Sequence, residues 1–201
     1  MIVGIVLAAG ESKRMGTPKQ LLPWGKTIVL QRVIDRAEAS RLDRALVVLG
    51  HRAEEIADKI TVSSKMRIVV NQNYRDGMGA SVKCGIRHAP ADAEAFMLLL
   101  GDQPFIRTRM IDELIDAYRT GRHGIIIPVY DGHRGHPVIL DLRYGEELLS
   151  IGDRGARGVI QKHSADILEV PTDMPNILRD MDTPQDYQEA KDNGNDPENQ
   201  D

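Results

Sequence analysis

Apolar residues gather in short runs along most of the chain, at 2–7, 45–49, 67–71, 96–100, 124–129, 137–140 and 167–170. The runs are rich in valine, isoleucine and leucine and too short for buried helices, so each predicts a strand. Between several of them the spacing changes. Leu30, Val33, Ile34 and Ala37 keep the periodicity of one helix face, and Ile111, Leu114, Ile115 and Tyr118 repeat it. Residues 52–60 and 81–88 are shorter helical candidates. The runs at 2–7, 45–49 and 96–100 are apolar throughout rather than alternating, as strands covered on both faces are. Together these patterns predict an α/β fold: a single three-layer α/β/α domain around a mostly parallel sheet. The stretch 124–140, with Asp131-Gly132 within it, predicts a hairpin instead. No internal repeat or linker interrupts residues 1–191, which read as one domain. Residues 192–201 carry no aliphatic or aromatic side chain and are expected to be a disordered acidic tail.

The length of 201 residues suits one domain with a substantial core. Charge narrows the class of partner. The formal net charge is −4, and residues 189–201 hold five acids against Lys191, so the rest of the chain is near neutral. A neutral body offers no footprint for a phosphodiester backbone, and 4% aromatic content gives few stacking platforms, which excludes nucleic acid. The single cysteine, Cys84, cannot form an internal disulfide, has no Cys or His at metal-ligand spacing, and reads as a small buried residue. The first apolar run is too short for a membrane span and no basic segment precedes it, so no membrane association and a cytoplasmic location are expected.

The richest chemistry follows the first strand. Residues 2–7 run into Ala8-Ala9-Gly10, then into a polar loop carrying Lys13, Arg14 and Lys19 around Gly16. Backbone N–H groups and fixed cations in such a loop complement polyphosphate oxygens. A Walker-type loop is excluded, because five residues separate Gly10 from Gly16 and Thr17-Pro18-Lys19 follows. The dinucleotide fingerprint is absent too. Taken alone, an ordinary strand-to-loop turn with surface lysines fits equally well.

Other strand ends hold further candidates, since ligands of open α/β sheets bind beyond the carboxyl ends of strands. Residues 71–81 form a glycine-rich turn in which Ser81 could cap the next helix, although a plain strand–turn–helix junction explains it. Asp102, directly beyond an apolar strand, could hold a divalent cation or serve as a turn residue. His136 between Gly135 and Pro137 needs no metal to be explained. The loop 152–158 is either a helix start or a cover over an anion, with Arg154 or Arg157 reaching a phosphate. Thr183-Pro184 is a helix start, which leaves Asp182 before it unexplained.

Resemblance joins these segments. Leu7-Ala8-Ala9-Gly10-x-Ser12-x-Arg14-Met15-Gly16-x-x-Lys19 closely resembles the signature loop of nucleotidyltransferases that activate sugars, sugar acids and cofactors with NTPs. Asn71 with Gly77-Met78-x-x-Ser81, Leu100-Gly101-Asp102-x-Pro104, Gly135-His136-Pro137 and Asp180-x-Asp182-Thr183-Pro184-x-Asp186 resemble further motifs of the same proteins, in the same order. The combined likeness is to the molybdenum cofactor nucleotidyltransferases. Within them it is to the cytidylyltransferase branch, which includes accessory proteins of purine and xanthine dehydrogenases. Leu7-Ala8-Ala9-Gly10 stands where the guanylyl branch usually has Leu-Ala-Gly-Gly.

The resemblance implies a Rossmann-like nucleotidyltransferase domain that transfers CMP from CTP to the phosphate of molybdopterin and releases pyrophosphate. It implies Mg²⁺ on Asp102 and Asp182, and catalysis by Lys19, Arg14 and Asp102. Leu7, Ala8, Ala9, Gly10, Arg14, Lys19, Asn71, Gly77 and Ser81 would hold the nucleotide. Gln103, Pro104, Gly135, His136, Asp153, Arg154 and Arg157 would meet the acceptor, and a molybdoenzyme would receive the product. GTP as donor, a sugar or alditol phosphate as acceptor, and a non-catalytic cofactor-delivery role are the alternatives.

The composition of the tail sets one expected outcome. Deleting residues 192–201 should leave melting temperature and turnover unchanged, because a segment without apolar side chains buries nothing. Thermal melts and a steady-state assay of the truncated chain check this.

Overall fold

The computed structural model describes residues 1–153 and 155–193. Arg154 and the expected tail beyond residue 193 lie outside the described residues. The elements in chain order are β1 (Ile2–Ala8), β2 (Pro23–Trp24), β3 (Thr27–Ile28), α1 (Val29–Ala39), β4 (Arg44–Leu49), α2 (Ala53–Ala57), β5 (Met66–Val70), α3 (Met78–His88), β6 (Ala95–Leu100) and α4 (Thr108–Thr120). There follow β7 (Ile125–Tyr130), β8 (His133–Arg134), β9 (Val138–Asp141), α5 (Gly145–Leu149), α6 (Arg157–Lys162), β10 (Ile167–Pro171) and α7 (Pro184–Asn193).

The main sheet has the order β10-β7-β9-β6-β1-β4-β5, with β8 paired to β7. The pairs β1–β4, β1–β6, β4–β5 and β7–β10 are parallel, so the expected mostly parallel three-layer fold is what forms. Alternate residues of β1 feed opposite cores. Ile2, Val6 and Ala8 join Leu30, Ile34, Ile56, Ile111 and Leu114 under α1, α2 and α4. Val3 and Ile5 join Val82, Leu148 and Val159 under α3, α5 and α6. This two-sided burial is why the central runs show no alternation. On the second face α3 comes very close: a Cβ on Gly85 would stand 2.5 Å from Ile5 Cγ2. That approach carries the first turn of α3 to the end of β1.

The predicted hairpin forms around Asp131-Gly132, where φ values of +48° and +75° match the turn that twisted antiparallel strands favour. Its returning arm is split. β8 pairs with β7, Gly135-His136-Pro137 interrupts with a cis His136–Pro137 peptide, and β9 then runs antiparallel between β7 and β6. A third, small core forms where α7 lays Ala190 against Trp24, Val29 and Met181 beside the β2–β3 ribbon. Here Trp24 meets Phe105 edge-on at 5.3 Å.

Leu114 is fully buried on α4 among the first core, whereas Leu142 is 46% exposed. Leu114→Ala should therefore destabilise by about 2–5 kcal/mol, the range for truncating a buried leucine. Leu142→Ala should change stability by no more than about 0.5 kcal/mol. Denaturant melts of the two variants make the comparison.

Candidate active site

The loop after β1 is tied by its own polar side chains. Gln20, 2% exposed, donates through Nε2 to the Ala8 carbonyl at 2.9 Å and the Gly10 carbonyl at 3.2 Å. Ser12, at φ +52°, accepts at Oγ from the Lys19 amide (3.1 Å), and its carbonyl accepts from Met15 N (2.9 Å). The loop is thus cinched across its mouth, and the residue after this closure point is Lys19, whose direction is fixed by it.

Lys19 reaches two acids that are far away in sequence. Its ammonium hydrogen-bonds Asp102 Oδ2 at the end of β6, and Asp182 Oδ1 at 3.1 Å. Arg14 Nη2 donates to the other oxygen of Asp182 at 2.6 Å. Burial alone would depress the Lys19 pKa, but the charges and hydrogen bonds of Asp102 and Asp182 hold it above the ordinary lysine value. Burial would raise Asp182, yet Lys19 and Arg14 keep its carboxyl below the usual range.

The segment carrying Asp182 is itself well fixed. Asp186 Oδ2 accepts from the backbone N–H of Asp182 (3.0 Å) and Thr183 (2.7 Å), while Thr183 Oγ1 accepts from Asp186 N (3.1 Å). This is the reciprocal cap of a helix start, and it explains why Thr183-Pro184 is followed by an acid. Met181, fully buried in the third core, holds the other side.

Two cavities lie side by side here, the first bordered by Asp102 and Asp182. The first, about 390 Å³, is lined by Leu7, Ala8, Ala9, Gly10, Arg14, Lys19, Gly77, Ser81, Asp102 and Asp182. The second, about 530 Å³, is lined by Gln103, Gly135, His136 and Arg157, with apolar walls from Ile127, Val138 and Ile160. Leu7, Met78, Leu100 and Asp180 line both. Gly77 allows the junction. Its φ of +90° and ψ of −176° is a glycine conformation, and a Cβ there would stand 2.9 Å from the Asp153 carbonyl oxygen.

The remaining sequence candidates fall elsewhere. Asn71, 5% exposed, does not line the first cavity; its Nδ2 donates to Ser81 Oγ (3.1 Å) and its Oδ1 accepts from Asn73 N, so it braces the turn. Ser81 is no cap, because α3 begins at Met78 and Ser81 lies one turn inside it. Pro104 is buried and lines neither cavity; Asp153 is exposed and lines neither, its carbonyl oxygen, Cα and Cβ packing on Gly77. Arg154 lies outside the described residues. Cys84 is buried in α3 away from both cavities, and burial raises its thiol pKa.

Sequence reasoning missed Gln20, Tyr74, Met78 and Asp180. Asp180 accepts at Oδ1 from Gln103 Nε2 (2.8 Å), and burial together with Asp102 and Asp182 raises its carboxyl above the usual range despite that bond. The bond fixes the orientation of the Gln103 amide and leaves its buried Oε1 without a partner; His136 Nδ1 is likewise buried and unpaired among the described residues. Burial drives His136 below the usual histidine range. Among the described residues no cluster of three or more His, Cys, Asp or Glu forms a self-contained metal site.

Residues 4–167 match the family described as "MobA-like NTP transferase domain". The molybdenum cofactor cytidylyltransferase of Escherichia coli K12 is 29% identical over 191 residues, covering 93% of this chain and 94% of that protein. Nicotine blue oxidoreductase of Paenarthrobacter nicotinovorans is 30% identical over 166 residues, covering 78% and 79%. Among solved structures, Rv0371c of Mycobacterium tuberculosis H37Rv superposes with a TM-score of 0.85 at 29% identity, covering 95% of this chain and 97% of that one. A structure of Rv0371c in complex with manganese gives 0.80 at 28% identity, covering 94% and 96%.

Lys19 is 16% exposed at its side chain and Asp102 14%. Lys19→Met should therefore cost about 1–3 kcal/mol at pH 7, as two partly buried acids lose the donor they share among the described residues. Lys19 and Arg14 hold the Asp182 carboxyl below its usual range, so its contribution is fully present above the ordinary aspartate value, and the difference from the parent chain should shrink only as pH falls below that value through the depressed one. Adding manganese at pH 7 should restore part of the lost melting temperature. Melts across pH, with and without the metal, test all three outcomes.

Proposed function

The chain belongs to the MobA-like NTP transferase family and is a nucleotidyltransferase, and we propose that it transfers CMP from CTP to the phosphate of molybdopterin, releasing pyrophosphate. The observation that carries this reading is that two cavities share a wall of Leu7, Met78, Leu100 and Asp180, with Lys19, Asp102 and Asp182 lining the first and the charges of Asp102 and Asp182 acting on Asp180. One cavity is bordered by the cinched glycine loop and its cations, the chemistry of a nucleotide. The other combines apolar walls with Arg157, His136 and the amide of Gln103, the chemistry of a phosphate-bearing ring system. Similarity to the E. coli cytidylyltransferase along nearly the whole of both chains supports the choice of donor and acceptor.

The acceptor phosphate is already an oxyanion, so no protein nucleophile is required. Its oxygen forms a bond to the α-phosphorus in line as the bond from that phosphorus to the β-bridging oxygen breaks, and pyrophosphate carries away the electron pair. The protein has to bring two anions together and stabilise the charge that develops. Lys19, held at the junction, neutralises the α-phosphate. Arg14, exposed and reaching from the loop, meets the departing β- and γ-phosphates. Leu7 to Gly10, Gly77 and Ser81 cradle the nucleoside, with Asn71 acting through Ser81.

Mg²⁺ fits the donors present. Asp102 and Asp182 already share one cation, the Lys19 ammonium, and Mg²⁺ is commonly held by one or two carboxylates plus substrate phosphates rather than by an all-protein cage. When bound it would neutralise phosphate charge between the reacting groups. No helix among the described residues is long and apolar enough to cross a membrane; a cytoplasmic location is part of the proposal. The proposal treats residues 1–191 as one catalytic unit, with delivery of the product to a molybdoenzyme.

A panel of CTP, GTP, ATP and UTP against molybdopterin, followed by pyrophosphate release, tests the reading. CTP should be the preferred donor. Preference for GTP, or turnover only with sugar or alditol phosphates, would overturn the assignment; nucleotide binding without turnover would point to a delivery protein. Asp102→Asn and Asp182→Asn should each lower turnover at least about a hundredfold. A loss within tenfold, about 1.4 kcal/mol, would remove that acid from the machinery.

A further inference from the structure

Tyr74 lines the first cavity beside Ala9, with the loop after β1 between it and Gly101-Asp102. The strands β6, β1, β4 and β5 are consecutive neighbours in the sheet; Asp102 follows β6, and Tyr74 lies in the 3-10 turn just after β5. Arg14, Lys19 and Tyr74 line this one cavity, so a nucleoside triphosphate with its phosphates at the two cations would have Tyr74 within the same enclosure as its base.

The tyrosine is braced. Its ring centroid lies 5.9 Å from that of His51 and 5.4 Å from the Arg75 guanidinium carbon. A Cβ on Gly50 would stand 2.5 Å from the Tyr74 Cβ and 2.8 Å from the Ala9 Cβ, so the tyrosine backbone sits directly beside the loop that begins the nucleotide cradle. Tyr74 lines the cavity, whereas among the described residues His51 and Arg75 do not, and its hydroxyl has no hydrogen-bond partner among them. A fixed ring with an uncommitted donor and acceptor is suited to both the face and the edge of a base.

We propose that Tyr74 reads the nucleobase: its ring flanks the base and its hydroxyl pairs with the base's polar edge, setting the preference among NTPs. The inference rests on the nucleotidyl transfer proposed above. A hydroxyl built to pair with one base penalises another that leaves it unpaired.

Calorimetric binding of CTP, UTP, GTP, ATP and inorganic tripolyphosphate, each with Mn²⁺ and without any acceptor, tests it in the wild type, Tyr74→Phe and Tyr74→Ala. The wild type should rank the four nucleotides. Tyr74→Phe should flatten that ranking, and Tyr74→Ala should weaken every nucleotide about tenfold or more, as loss of an aromatic contact to a base does. Tripolyphosphate should bind all three proteins alike, which shows the phosphate end and the fold to be intact. Wild-type ranking in Tyr74→Phe would overturn the proposal. So would loss of tripolyphosphate binding alongside the nucleotides, since the substitution would then act through the fold. Failure of the wild type to bind any nucleotide would instead overturn the transfer reaction itself.

Discussion

A single ammonium group ties together three stretches of chain that fold from opposite ends of the sequence. Lys19 comes from the loop after β1, Asp102 from the end of β6 and Asp182 from the approach to α7. Without that cation, three partly buried carboxylates, counting Asp180, would share the wall of the first cavity, and like charges so close are costly. The stability of the junction and the availability of a positive charge for phosphate are therefore one property. A substrate phosphate or a divalent ion entering here competes for partners that are already arranged around a cation.

The architecture was readable in the sequence because its strongest signal, unbroken apolar strands, has a direct physical cause. Val3 and Ile5 face one core while Ile2 and Val6 face the other, so no polar residue is tolerated between them. The periodicities of α1 and α4 were equally plain. What local pattern did not reveal was the path of β9. The run 137–140 reads as the second arm of a hairpin, but its partner on the far side is β6, a pairing that only the assembled sheet specifies. The two-residue strands β2 and β3 lack any periodicity and owe their order to Trp24 and the α7 packing.

Site residues divide along similar lines. The loop cations, Asp102 and Asp182 belong to long motifs whose resemblance to nucleotidyltransferases singles them out. Gln20 looked like an ordinary polar neighbour of Lys19, and its burial under two carbonyls arises only when the loop closes. Asp180 was overshadowed by Asp182, since nothing in Asp-x-Asp spacing says that the first acid will meet Gln103 across the sheet. Asn71 illustrates the reverse case, a residue within a matching motif that the fold places behind the cavity wall, bonded to Ser81, which lines it.

The direction of β9 has a consequence for how such a scaffold can diversify. Parallel strands present only their exits to the ligand, but β9 runs the opposite way and presents its entrance, so Gly135-His136-Pro137 arrives from outside the sheet as the chain dives in. The sheet thereby has two halves: β5-β4-β1-β6, from whose ends come the loops of the first cavity, and β9-β7-β10, whose β7 and β9 give Ile127 and Val138 to the second. Insertions or substitutions before β9 can remodel one ligand pocket without shifting a single strand end of the other. A grafting experiment between relatives has a natural seam there, between β6 and β9, where the two halves meet antiparallel.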